Sequence, residues 1–188
     1  MKSVLISIQP KWCELIASGK KTIEVRKTKP KLETPFKVYI YCTKPRHYYK
    51  ISRHLLTSDE SLFIVNGKVR MCDGFGVEYE DSEYKHLNCK VIGEFVCDEI
   101  IVAKCGNYGV LPKTKTMVDE LDLLDYADEK TVYGWHISNL VIYDKPRELK
   151  EFSSGSSRLE FSNTEDGFPL KWSGMKRPPQ SWCYVESE

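Results

Sequence analysis

The first 53 residues of this 188-residue chain contain very little acid: 3 Asp and Glu stand against 13 Lys and Arg. The remainder reverses the balance, with 24 acids against 15 bases, so a formal net charge of +1 conceals two oppositely charged parts. That split predicts either a polarised surface, with a basic side able to meet phosphate, or charged runs that only face solvent. Other absences exclude whole classes. No apolar run approaches the ~20 residues of a membrane span. The apolar part of "MKSVLISIQP" is too short for a secretory signal, so a cytoplasmic location is expected. The seven cysteines include no C-x-x-C pair. Cys89, Cys97 and Cys105 recur every eight residues, with His86 before them, a spacing too wide along a strand for one shared ion. Reduced, structural thiols are therefore expected, with no metal and no cofactor. The chain also lacks a G-x-S-x-G elbow, a G-x-x-x-x-G-K loop and an H-E-x-x-H helix. Of four histidines only His136, in "YGWHIS", sits in a structured motif.

What is present fits a globular chain, with 41% hydrophobic and 29% charged residues. We expect a single domain over 1–188, enlarged by insertions at about 44–86 and 153–174. "KSVLISIQ" alternates as a strand. "PKWCELIASGK" follows as a helix, with Pro10 placed to open it, Gly19 to close it, and Trp12, Leu15 and Ile16 as its apolar stripe. Further strands are expected at Lys20–Lys27, at 36–43 with Phe36, Val38, Ile40 and Cys42 on one face, and at 180–186. Residues 88–102 read as one long strand with Gly93 as a bulge. "TVYGWHISNLVIYD" reads as a bent strand or strand pair. Asn66-Gly67 is a strong hairpin signal. "PRHYYKISRHLL" reads as a short helix, 114–127 as a helix capped by Thr114 or Thr116, and 153–168 as a loop. Many strands with few short helices predict a mostly β, α+β fold, its curved sheet closing into a small barrel with helices at the openings.

The chemistry concentrates in "GKKTIEVRK". Alternation puts Thr22, Glu24 and Arg26 on one face and Ile23 and Val25 on the other, with Lys21 at the strand's start. Such charges form either a solvated ladder of ion pairs or the lining of a pocket, where Lys and Arg make an anion site beside a carboxylate. Tyr41, Trp135 and Trp182 are candidate walls for a stacked base, or core residues.

Taken whole, "LIASGKKTIEVRK" resembles the G-x-K-x-x-E-x-R signature of the ASCH domain, a branch of the PUA-like superfamily, with Gly19, Lys21, Glu24 and Arg26 in its positions. "KVIGEFVCDEI", "YGWHISNLVIYDKPREL" and "RPPQSWCYVE" also resemble ASCH proteins, particularly prophage-encoded ones. The resemblance implies a small β-barrel, a cleft beside the first helix, and recognition of RNA or a nucleotide-like ligand. Lys20, Lys21, Glu24, Arg26, Tyr41, Trp135, His136 and Trp182 are then the expected binding residues. One branch of the family deacetylates acetylated cytidine with a lysine, a threonine three residues later and a glutamate. Here Glu24 occupies the threonine position and Thr22 is out of register. Other members are ribonucleases, for which this sequence has no independent signature. Three readings follow: a binding module, a hydrolase with Lys21 and Glu24 as catalytic candidates, and a phage-encoded protein-interaction module.

Overall fold

The computed structural model describes residues 2–44, 61–65, 68–72, 88–154, 159–160, 171–172 and 174–186. Strand β1 (Lys2–Ile8) leads into helix α1 (Pro10–Ala17), and β2 (Ile23–Arg26) and β3 (Phe36–Cys42) follow. Next come β4 (Ser61–Val65), β5 (Lys68–Cys72), β6 (Lys90–Cys97) and β7 (Ile100–Ala103). Two short helices, α2 (Lys113–Thr116) and α3 (Glu120–Ala127), precede β8 (Val132–His136) and β9 (Ser138–Glu148). The chain closes with β10 (Leu159–Glu160), β11 (Lys171–Trp172) and β12 (Trp182–Glu186).

A five-stranded mixed sheet runs β12-β1-β3-β6-β9, with β1 and β3 parallel and the other pairs antiparallel. It is apolar on both faces. Val4, Ile6, Val38 and Ile40 pack with Cys13 and Ile16 of α1 on one side. Leu5, Tyr39, Tyr41 and Val91 pack with Leu149 and Phe152 on the other. The face expected for residues 36–43 is the observed one, since Phe36, Val38, Ile40 and Cys42 share a cluster. A second sheet, β2-β8-β7, is antiparallel, and its Ile23, Val25 and Val132 pack against Tyr108, Leu111 and Leu123. The fold is thus α+β, mixed sheets with few short helices.

The expected closure into a barrel is not found among the described residues; the ladders form separate sheets. The long strand expected at 88–102 is broken for the same reason. Asp98 and Glu99 end β6, and β7 begins in the other sheet. The chain makes the reverse passage at Ile137, between β8 and β9, beside the first crossing: His136 N–H donates to Glu99 O at 3.0 Å. The two crossings form a corner at which strands switch sheets. The bulge falls at Ile92, because Ile40 pairs with Gly93 and Tyr41 with Val91. Gly93 has a different reason to be glycine: a Cβ there would lie 2.3 Å from Val141 O.

Two other expectations change. The strand at Lys20–Lys27 shortens to Ile23–Arg26. The helix at 114–127 divides at Met117, whose φ of 56° is left-handed, and neither Thr114 nor Thr116 caps it; Asp119 stands at the N-cap of α3. The Asn66-Gly67 signal agrees with the β4–β5 pairing, which sets Val65 opposite Lys68. "PRHYYKISRHLL" lies outside the described residues, as does most of 153–168, although Leu159–Glu160 pairs with Lys171–Trp172.

Candidate functional site

A cleft of about 290 Å³ opens where the two sheets meet α3. Ser7, Gln9 and Trp12 come from the end of β1 and start of α1, and Lys21, Glu24, Val25 and Arg26 from β2 and its approach. Val118, Asp122, Leu123 and Tyr126 form the opposite wall.

Lys21 reaches this cleft because of how α1 ends. Gly19 adopts φ +70°, a left-handed value that L side chains disfavour. The chain then folds back so that Lys21 N–H donates to Leu15 O at 2.8 Å, while Thr22 N–H donates to Lys115 O at 2.9 Å. Lys21 therefore precedes the strand instead of alternating within it, and its ammonium turns to the Glu24 side. Nζ donates to Thr116 O at 2.5 Å, lies 3.4 Å from Glu24 Oε2, and sits 4.9 Å from the Trp12 ring centre. Arg26 Nη2 donates to Ser7 O at 2.7 Å and meets Glu24 Oε1 at 3.0 Å.

The cluster is buried: Lys21 is 2% and Glu24 5% exposed. A solvated ladder is thereby replaced by a buried triad with two cations to one carboxylate. Burial holds the Lys21 ammonium below its usual pKa, against the pull of Glu24, and neighbouring Arg26 pushes the same way as burial. Burial raises the Tyr126 hydroxyl, with Arg26 opposing. Glu24 Oε2 and Arg26 Nε are closed to solvent and lack a hydrogen-bond partner among the described residues. Oε2 keeps its ion-pair distance of 3.4 Å to Lys21 Nζ, and burial of all three charged groups sets this cluster apart from ordinary surface pairs.

Lys21, Glu24 and Arg26 are brought together; the other expected residues do not line this cleft. Lys20 is exposed beside it, and Tyr41 packs into the core of the five-stranded sheet. Trp135 is fully buried between Phe36 and Trp182, with ring centres 5.8 and 5.9 Å away. Trp182 is half-buried and its Nε1 donates to Thr28 Oγ1. His136 meets Asp98 at 2.7 Å at the corner between the sheets. Among the described residues no cluster of His, Cys, Asp and Glu is arranged to hold a metal, and six free cysteines are present. No described helix is long and apolar enough to cross a membrane.

Sequence reasoning missed Trp12 and Tyr126, the two rings of the cleft. Trp12 had been assigned to the apolar stripe of α1, yet it is only half-buried, with Lys11 4.6 Å from its ring centre as well as Lys21. Tyr126 lies one position before the buried Ala127 and three after the buried Leu123, so the apolar spacing of α3 carries a weak signal for it.

Comparison with known proteins gives a family-model match over part of the chain. The ASCH domain model matches residues 6–96. Among solved structures, the ASCH protein of Zymomonas mobilis is similar over 98% of this chain and 87% of its own, at 16% identity and a TM-score of 0.55. A single-substitution variant of that protein is similar over 99% and 91%, at 17% identity and a TM-score of 0.57. At such identity the likeness is one of fold. No curated protein matches the sequence.

Proposed function

We propose that this chain, whose residues 6–96 match the ASCH domain model, is a binding module for RNA or a nucleotide-like ligand that uses the Lys21–Glu24–Arg26 cleft. One observation carries the reading: the buried group of Lys21, Arg26 and Glu24 borders a cleft that Trp12 and Tyr126 also line. Lys21 and Arg26 face Glu24 and Asp122 across the cleft lining, and the contact to an anionic group is assigned to the Arg26 fork, which suits phosphate. Trp12 and Tyr126 offer flat faces to a base. At about 290 Å³ the cleft has room for one base-sized group and none for a helix ~10–12 Å across. The chain is read as one domain with 44–86 and 153–174 as insertions.

A hydrolase acting on modified nucleosides or RNA is the second reading. The observation that favours it is Lys21, whose lowered pKa brings the neutral amine closer to neutral pH, where it can accept a proton. Thr22 does not line the cleft, and the lining hydroxyl of Ser7 is engaged as a donor to Pro179 O.

Calorimetric titration with nucleoside monophosphates, paired with turnover assays on acetylated cytidine and single-stranded RNA, separates the two. The binding reading expects saturable, salt-sensitive binding, lost in Arg26→Ala, and no product. Product formation abolished by Lys21→Ala would replace it with the hydrolase.

A further inference from the structure

Among the described residues Lys21 is the only buried lysine. Its amine has one hydrogen-bond partner and one ion-pair partner. Nζ donates to Thr116 O at 2.5 Å and lies 3.4 Å from Glu24 Oε2. An ammonium has three hydrogens to donate, which leaves one for the cleft that the residue lines. Two conditions turn a lysine into a nucleophile, desolvation and a neighbouring cation, because both favour the neutral amine. Lys21 meets both: it is buried, and Arg26 shares its Glu24 partner at 3.0 Å. Burial and Arg26 accordingly lower its pKa, against the pull of Glu24. Trp12, Val25, Val118 and Leu123 supply the apolar part of the same lining. With phosphate assigned to Arg26, the binding reading leaves this amine without a role.

We propose that the cleft takes a phosphate-bearing aldehyde, the open-chain form of a sugar phosphate, and that Lys21 joins it as an imine. The proposal rests on the assignment of phosphate to Arg26 and adds the reactive group at the ligand's other end. Neutral Nζ attacks the aldehyde carbon, the C–N bond forms, and the C=O π pair moves to oxygen. Glu24 Oε2 accepts a proton from that nitrogen and returns it to the oxygen, giving a neutral carbinolamine. A further proton from solvent lets the hydroxyl leave as water, and the nitrogen lone pair closes the C=N bond. No oxidation or reduction is involved. The resulting iminium is cationic, so Glu24 keeps a counter-charge and the buried group stays balanced. An apolar lining favours the condensation, which releases water. A nucleotide that has lost its base carries the same phosphate and aldehyde, whether free or within a strand.

The test is trapping with cyanoborohydride, which delivers hydride to the imine carbon and leaves a stable secondary amine on the protein. The probes are ribose 5-phosphate and a single-stranded oligonucleotide carrying one baseless deoxyribose. Peptide mapping of the wild type is expected to place the adduct on Lys21, with exposed Lys27 and Lys29 unmodified. Ribose without phosphate should give less adduct, and inorganic phosphate should compete with the probe. Lys21→Met should abolish trapping and Lys29→Gln should keep it, with folding of both checked by thermal melting. Trapping at Lys21 should reach half its maximum at lower pH than trapping of Nα-acetyl-lysine, a difference that a merely structural lysine would not give. Adduct from ribose 5-phosphate alone assigns the free sugar phosphate, and adduct from the oligonucleotide alone assigns the baseless strand. No adduct, adducts spread over exposed lysines, or trapping that persists in Lys21→Met would overturn the imine. Uridine monophosphate separates the two claims. If it binds by calorimetry and Lys21 forms no adduct, the imine falls and the nucleotide reading stands. If Lys21 is trapped while the monophosphate neither binds nor protects it, the imine stands and the nucleotide reading falls.

Discussion

Glu94 and Glu24 are both strand carboxylates within ionic reach of a lysine, yet their surroundings differ in a way that separates a structural network from a candidate site. Glu94, on the face of the five-stranded sheet, has both oxygens satisfied, one by Lys37 Nζ at 2.8 Å and one by the Tyr143 hydroxyl at 2.5 Å. Burial alone would raise its pKa, but these bonds hold it below the ordinary value. Lys37 is raised in turn, chiefly by its bond to Glu94. Glu24 has one oxygen on Arg26 at 3.0 Å and the other at the longer distance of 3.4 Å from Lys21 Nζ, and that lysine is shifted down by burial. The same residue types give a complete network where they are half in water. They give an incomplete one where they are buried beside a cleft.

Removing each carboxylate should expose that difference most. Glu24→Ala leaves Lys21 and Arg26 without their counter-charge in a buried place, and a loss of about 3–5 kcal/mol is expected in urea unfolding. Glu94→Ala breaks a pair whose lysine side chain is 41% exposed, and ~1 kcal/mol or less is expected. Equal losses in the two variants would erase the distinction.

A smaller effect sharpens it. The folded-state pKa of Lys21 lies below the unfolded value near 10.5, so in that interval the unfolded chain binds more protons and stability from this site rises with pH. Lys37 is raised above the same reference, so its contribution is complete below that value and is lost as pH climbs through the folded pKa. Melting temperatures from about pH 8 to about pH 11 should therefore diverge. The wild type gains relative to Lys21→Met and loses relative to Lys37→Met. Parallel curves for the two variants would contradict the opposite shifts.

Much of this arrangement was legible in the sequence. Pro10 and Gly19 mark the ends of α1, and three of the five charges of "GKKTIEVRK", Lys21, Glu24 and Arg26, meet in one place. Periodicity failed where the chain turns a corner. Asp98-Glu99 interrupt a run that is strand-like on both sides, so one long strand is read where two sheets share it, whereas the bend at Ile137 matches the bent strand or strand pair expected there. The cleft walls were illegible for a different reason. Tyr126 and Asp122 lie about a hundred residues from Lys21, and only packing of α3 against the junction brings them there. Trp135 illustrates the converse: it stands directly opposite Glu24 in the β2–β8 register and shares its sheet face, yet packing against Phe36 and Trp182 places it in the core and not in the cleft wall.

Co-crystallisation with a mixture of nucleoside monophosphates tests the central claim most directly. A nucleotide in the cleft is expected, its base between Trp12 and Tyr126 and its phosphate within hydrogen-bond distance of the Arg26 guanidinium. A nucleotide bound elsewhere with the cleft empty, or none bound at saturating concentration, would contradict the assignment of Lys21, Glu24 and Arg26 to a ligand site.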